Sequence, residues 1–239
     1  MNQEYWLRTI KIAKINSVKR ITRCAQIMGR SESENLSAAQ IFYPCMQASD
    51  IFHLKVDIAQ LGMDQRKVNV LAREIAEKIG YKKPIAIHHH MLMSLNPPLN
   101  VKGDKKERTI EMKMSKSVPD SAIFMTDSYD DIQRKISRAY CPEGIVEDNP
   151  VLEYVRYILF GRLDKIAIER DSKYGGKVEY SSYKDLEKDY VKKVLHPVDL
   201  KKAVIEALNN LIEPIREHFN SNPEARKLKL LVESYETTR

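Results

Sequence analysis

The sequence predicts an α/β first half and a mostly helical second half, and three observations carry that prediction. A strand–turn–helix–strand run lies between residues 54 and 87, and helix-period apolar patterns dominate after residue 125. The chain has 239 residues, 43% hydrophobic and 31% charged, which suffices for one large or two small domains with real cores. That composition excludes disorder of the whole chain. No uninterrupted apolar run approaches the ~20 residues a membrane span needs. The polar start Met1–Trp6 does not read as a signal peptide.

Each element follows from local pattern. Residues 4–30 read as one amphipathic helix, with Trp6, Ile10 and Ala13, then Val18, Ile21, Ala25 and Met28, at three- and four-residue steps. Ser31–Asn35 is a polar break, and a second helix runs through Ala38–Ile51 despite Pro44. Leu54–Ala59 alternates as a short strand. Gly62-Met63-Asp64-Gln65 turns the chain into a strong helix whose stripe is Val68, Leu71, Ala72, Ile75 and Ile79, and Gly80 stops it. Pro84–Ile87 is too short for a helix and suits a buried parallel strand, completing a βαβ order. Residues 94–126 are irregular and rich in Lys, Pro and Ser. Tyr129–Tyr140 and Pro150–Phe160 read as helices, the second with Asn149 as N-cap and Pro150 at its first position. Leu163–Arg170 and Lys177–Tyr180 flank Lys173–Gly176 and read as a hairpin or a pair of short strands. Ser182 caps a helix to Lys193, and Val198–Phe219 is a long final helix. The domain boundary falls near residue 125, giving 1–125 and 126–239.

Charge and cysteines narrow the chemistry. The formal charge is +7, and residues 1–30 hold Arg8, Lys11, Lys14, Lys19, Arg20, Arg23 and Arg30 against Glu4 alone, nearly the whole excess. Such a cluster is an electrostatic footprint for phosphate, with a solvated helix face as the plainer alternative. Cys24, Cys45 and Cys141 are odd in number, scattered and without a CxxC pair. A disulfide framework and a cysteine-built zinc site are disfavoured, and a reducing intracellular compartment fits. His88, His89 and His90 invite a metal reading, but neighbours on a strand point to opposite faces and cannot easily ligate one ion. No metal site is expected.

The string Lys113-Met114-Ser115-Lys116-Ser117 is the most informative. Two lysines three apart on a loop can place positive charge on a triphosphate during reaction. It follows Gly62–Gln65 by about 50 residues and lies beyond the strand ending in His88–His90. Tyr43–Asp50 (YPCMQASD), Gly62–Lys67 (GMDQRK), Ala139–Gly144 (AYCPEG), Tyr174–Gly176 (YGG) and Leu195–Leu200 (LHPVDL) accompany it in order. Together these five motifs resemble the tyrosyl-tRNA synthetases of the archaeal and eukaryotic cytosolic type, which are class I aminoacyl-tRNA synthetases. The resemblance covers about residues 15–220. It implies the C-terminal part of a Rossmann-type catalytic domain over 1–125 and a helical anticodon-binding domain over 126–239. The family also begins with a nucleotide-binding segment carrying His-x-Gly-His, a string this chain does not contain. A family member without that N-terminal segment is therefore expected, and the chain alone can be inactive.

The resemblance also implies roles. Tyrosine's carboxylate attacks the α-phosphate of ATP, and the adenylate then passes to a hydroxyl of the tRNA's terminal adenosine. No covalent enzyme intermediate arises, so positioning and charge stabilisation carry the rate. Lys113 and Lys116 match the catalytic lysines, with Met114, Ser115 and Ser117 beside ATP. Tyr43, Gln47, Asp50 and Gln65 match the tyrosine site. The first three stand at i, i+4 and i+7 and so share one helix face. Asp50 would accept from the phenol, and the other three would hold the ammonium. Without the resemblance, Asp50 reads as a cap and Gln47 as surface. Gly62 and Asp64 match the ribose segment, and Met91 and Leu92 the adenine side. Arg23 and Arg66 match the tRNA acceptor end, and Tyr174, His196 and Asp199 the anticodon readers. Tyrosine, ATP with Mg2+, tRNA(Tyr), a homodimer and a cytoplasmic setting without membrane contact follow. The alternatives are a tryptophanyl-tRNA synthetase and a non-catalytic fragment that binds tRNA or dimerises.

Overall fold

The computed structural model describes residues 2–24, 36–97, 114 and 118–235. The chain divides into two compact units, Met1–Met91 and Leu92–Arg239.

The first unit opens with α1 (Gln3–Lys14), capped by Asn2, whose side chain accepts from the Tyr5 amide at 3.0 Å. The expected single helix over 4–30 is broken, because α1 ends at Lys14 and Ser17 caps a separate α2 (Val18–Thr22). The cause is local competition for backbone groups. Asn16 Nδ2 donates to Ile12 O at 2.8 Å, and Ser17 Oγ accepts from Arg20 N at 3.2 Å. Residues 25–30, including Ala25, Met28 and Arg30, and the Ser31–Asn35 break lie outside the described residues. The buried face of α1 also differs from expectation. Tyr5, Arg8, Thr9 and Ile12 point inward, whereas Trp6 and Ile10 are 43% and 52% exposed. Hydrophobicity points to the wrong stripe because the polar side chains find partners. Arg8 Nε donates to Tyr81 Oη (2.9 Å), Arg8 Nη2 to Glu4 (2.8 Å), and Thr9 Oγ1 to Tyr5 O (3.0 Å).

Helix α3 (Ala38–His53) starts at a reciprocal cap between Ser37 and Gln40 and continues through Pro44 as the sequence predicts. Helices α1 and α2 pack on it. The strand after it begins four residues later than the alternation over 54–59 indicates. Leu54 still caps α3, Lys55 takes a left-handed φ of 54°, and β1 is Ile58–Gly62. A 3₁₀ turn, Met63–Gln65, leads into α4 (Arg66–Ile75), which also packs on α3. Its Val68, Leu71, Ala72 and Ile75 are buried as the stripe predicts, each large side chain contributing ~1.5–3 kcal/mol by leaving water. Gly80 ends the run at a φ of 87°. Strand β2 (Ile85–His89) then pairs parallel with β1, Ile58 opposite Ile85 and Gly62 opposite His89. Only one face of this sheet is covered, contrary to the buried strand expected. Ala59 is buried and His88 bonds to Asn69 of α4, while Ile58, Ile85 and Ile87 are exposed. This sheet has two strands among the described residues, and the large side chains of its other face are exposed.

Residues after Met91 join the second unit. Leu95 is buried there, its amide donating to Ser121 O and its carbonyl accepting from Tyr140 N. Helix α5 (Tyr129–Arg138) begins at a reciprocal Ser128–Asp131 cap, and α6 (Pro150–Glu153) at Asn149, widening into π-type turns over Tyr154–Leu159. Strands β3 (Ile166–Ile168) and β4 (Val178–Tyr180) form the expected antiparallel pair, and Ser182 caps α7 (Tyr183–Val191). Helix α8 (Pro197–Ser221) is not the last. Asn222 ends it and caps α9 (Pro223–Glu233), its side chain accepting from Glu224 N and Ala225 N, and Pro223 suits the first turn of that helix.

The core of this unit gathers Ile132, Ile136, Val151, Leu159, Ile168, Leu200 and Val204. Its polar groups are paired. Buried Lys135 reaches Asp127 Oδ2 (2.6 Å) and Ala122 O (3.0 Å), pinning residues 122–127 onto α5. Tyr180 donates to Asp189 (2.9 Å) and Tyr190 to Pro142 O (2.8 Å). No described helix is long and apolar enough to cross a membrane.

Candidate functional site

The polar face of α3 builds the first cluster. Gln47 Nε2 donates to Gln65 Oε1 at 2.8 Å, so two residues 18 apart in sequence meet where α3 passes the turn before α4. Tyr43, one turn earlier, is 47% exposed. Asp50, one turn later, is half-buried, and one of its oxygens accepts from the Tyr5 hydroxyl at 2.7 Å. That hydroxyl also lies 3.3 Å from Met46 O. Tyr5 is 1% exposed, and burial, reinforced by the Asp50 carboxylate, pushes its hydroxyl up to about 12. Tyr5 is therefore a fixed neutral donor at all ordinary pH. It holds one carboxylate oxygen and leaves the other to accept elsewhere. The sequence reading missed Tyr5, although its steps to Thr9 and Ile12 were visible, because Trp6 and Ile10 gave a more apolar stripe.

A second cluster surrounds Gly62. A Cβ there would meet Met91 Sδ and come within 2.7 Å of Asp64 Oδ1, both ends of flexible side chains that would have to move aside. Asp64 and Met91 thus sit against one backbone point at the end of β1, with the His89 ring beside them. His88 points the other way, its Nε2 3.0 Å from the Asn69 amide nitrogen. Burial, then the nearby Arg66 charge, lowers its pKa, so the ring is a neutral acceptor. Leu92 and Met114 pack instead against the core of the second unit. Lys113, Ser115, Lys116 and Ser117 lie outside the described residues.

The third feature is a cleft of about 240 Å³ lined by Arg20, Arg23, Arg66, Lys67, Val70 and Glu74. Arg20 takes the carboxylate of Glu74 through two donors at 2.8 and 3.0 Å. The other three cations leave the cleft net positive, suited to phosphate. Arg23 and Arg66, named from the sequence, come together here. Arg20 and Lys67 were missed as members, though the basic cluster contained the first. The thiols offer no nucleophile nearby. Burial pushes Cys45 up to about 11 and raises Cys24 and Cys141 as well. Among the described residues, no three His, Cys, Asp or Glu gather to hold a metal ion.

In the second unit Tyr174 closes a 3₁₀ turn, Ser172–Tyr174, and is 63% exposed. The Lys173 ammonium lies 4.9 Å from its ring centroid. Gly175 and Gly176 follow at φ of 92° and 66°, a backbone that side chains resist. His196 caps α8, its Nδ1 accepting from Val198 N at 3.2 Å, and Asp199 lies in the first turn. No hydrogen bond to the Asp199 carboxylate occurs among the described residues, so it is available to accept.

Residues 1–213 match the family described as tRNA synthetases class I (W and Y). The chain is 48% identical to cytoplasmic tyrosine–tRNA ligase 1 of Arabidopsis thaliana over 99% of its own length and 58% of that protein's. With the tyrosine–tRNA ligase of Saccharolobus solfataricus the identity is 46%, over 95% of this chain and 63% of that one. Among solved structures, tyrosyl-tRNA synthetase from Pyrococcus horikoshii, complexed with L-tyrosine, superposes with a TM-score of 0.84 at 41% identity. That match covers 95% of this chain and 65% of the other. The chain thus spans about 60% of the length of these relatives.

Proposed function

Because the chain belongs to the class I tRNA synthetases of the tryptophan and tyrosine group, we propose that it acts in tyrosine activation and transfer to tRNA(Tyr). The observation that carries this is the α3 face. Tyr43, Gln47 and Asp50 climb it at helical spacing, Gln65 is bonded to Gln47, and Tyr5 fixes Asp50. Asp50 accepts from the substrate phenol, while Tyr43, Gln47 and Gln65 hold the ammonium. The tryptophan alternative has less support, since the relatives named above are tyrosine enzymes. A fragment that only binds tRNA or dimerises would have no use for this paired, pre-oriented face.

Residues 1–125 serve as the C-terminal part of a Rossmann-type catalytic domain, and 126–239 as an anticodon-binding domain. Gly62 and Asp64 approach the ATP ribose, and Met91 and Leu92 the adenine. Lys113 and Lys116, with Met114, Ser115 and Ser117, engage the triphosphate. Mg2+ accompanies ATP through the phosphates. The carboxylate of tyrosine attacks the α-phosphorus, pyrophosphate departs, and the adenylate is attacked by a ribose hydroxyl of tRNA. In each step the protein orients reactants and stabilises charge. Arg23 and Arg66 receive the acceptor end in their basic cleft. A cytoplasmic homodimer completes the reading.

The second unit reads the anticodon. Tyrosine anticodons begin with guanine, whose Watson–Crick edge presents two adjacent donors, and a carboxylate can accept both. Asp199 is that acceptor, and Tyr174 stacks on the base through the ring face that Lys173 leaves open. Asp199→Ala is expected to cost ~1–3 kcal/mol in tRNA charging. Pyrophosphate exchange, which needs no tRNA, stays near its original rate. Measured side by side in the protein at its relatives' full length, an equal fall in both would make Asp199 structural. Titration with L-tyrosine tests the reading as a whole, and loss of binding on Asp50→Asn is the expected result.

A further inference from the structure

The two loops carrying the anticodon-reading residues are far apart in sequence, and a single side chain is bonded to both. Arg170 leaves the end of β3 and donates from Nε to Gly176 O at 2.9 Å. From Nη1 it donates to Val194 O at 3.3 Å. Its Nη2 lies 3.2 Å from the point a Cβ would occupy on Gly175, so the guanidinium fills the space beneath the Tyr174–Gly176 turn. The second loop is anchored on its far side, where Asp189 O accepts from Val194 N (2.9 Å) and Leu195 N (3.3 Å). Asp189 in turn holds Tyr180 of β4. Leu195 is fully buried, and His196 caps α8 immediately after it.

We propose that Arg170 is a positioning residue for anticodon discrimination, fixing the Tyr174 turn against the start of α8. This rests on the anticodon reading proposed for Tyr174, His196 and Asp199. A base stacked on Tyr174 meets the Asp199 carboxylate only if both loops keep their spacing to within a few tenths of an ångström, the tolerance of a hydrogen bond. A guanidinium suits that task because its donors diverge in a rigid plane and grip two carbonyls at once. A lysine ammonium carries its donors on one nitrogen at the end of a flexible stem and lacks that fixed spread. The side chain also keeps its own backbone targets occupied, so it acts through Tyr174 and Asp199 rather than on the base.

The test uses this chain as it stands, with tRNA(Tyr) and the same tRNA changed at the first anticodon base, titrated at several salt concentrations. Arg170→Lys keeps the charge and loses the fork. It should lower the affinity ratio of the two tRNAs about tenfold, the loss of one hydrogen bond from a charged donor, with the salt slope unchanged. Arg170→Gln serves as the second variant, and a thermal melt close to the original shows that the hairpin persists. Equal weakening of both tRNAs in Arg170→Gln, with a salt slope smaller by about one, would make Arg170 a phosphate contact and overturn the proposal. An unchanged ratio in Arg170→Lys, while Asp199→Ala loses discrimination, overturns it and leaves the anticodon reading standing. An unchanged ratio in Asp199→Ala removes both.

Discussion

Asp50→Ala is expected to abolish useful tyrosine activation in the protein at its relatives' full length. Two losses coincide in that variant. The phenol loses its charged acceptor, worth ~1.5–3 kcal/mol or about 10- to 100-fold in binding. The buried Tyr5 hydroxyl also loses its 2.7 Å partner, which loosens the packing of α1 on α3. Asp50→Asn separates the two. The amide oxygen still accepts from Tyr5, while an N–H now faces the substrate hydroxyl, which loses its charged acceptor and is left only to accept. The expected result is a folded protein whose KM for tyrosine rises steeply and whose preference over phenylalanine collapses. Retained preference in Asp50→Asn would remove Asp50 from the pocket. Tyr5→Phe should weaken tyrosine binding less than either, because Asp50 keeps its charge and loses only its orientation.

Lys116→Ala is expected to slow tyrosine-dependent ATP–pyrophosphate exchange by about 10²–10³, or ~2.7–4 kcal/mol of transition-state stabilisation. The ATP affinity should change far less. The argument is one of timing: negative charge shifts onto the departing pyrophosphate as the α-phosphorus is attacked, so a lysine placed there binds the transition state more tightly than the substrate. Lys113→Ala should behave alike. Unchanged exchange in either variant would make the lysine string a bystander.

Element type was largely legible in the sequence, and boundaries were less so. The α4 stripe, the Gly80 stop, the Asn149-Pro150 start and the strand pair around Tyr174–Gly176 each follow from short-range chemistry and stand where the pattern puts them. Misreadings occurred where polar side chains changed the local balance. Asn16 and Ser17 cut the first helix, and Arg8 and Thr9 turned its face by pairing inside. The β1 shift came from Lys55, a left-handed residue with none of glycine's freedom to announce it. In the site, motif residues such as Gln47 and Gln65 could be named from their order, but their partners could not. Tyr5 and Arg170 lie in ordinary sequence, and their roles appear only when distant segments meet.

The buried tyrosine hydroxyls set an alkaline limit on the fold. Burial, first among the causes, pushes Tyr5, Tyr154, Tyr180 and Tyr183 up to about 12, and drives Tyr190 in the same direction. An unfolded chain gives up these protons near pH 10. Below that point both states hold them and the stabilisation is complete. Between pH 10 and 12 the unfolded chain releases protons that the folded chain retains, so each step upward favours unfolding. Tyrosinate absorbance should therefore rise together with loss of helical signal in that window, as one cooperative event rather than a series of independent ionisations. Four of the five hydroxyls belong to the second unit and Tyr5 to the first, so base destabilises each unit by ionising its interior.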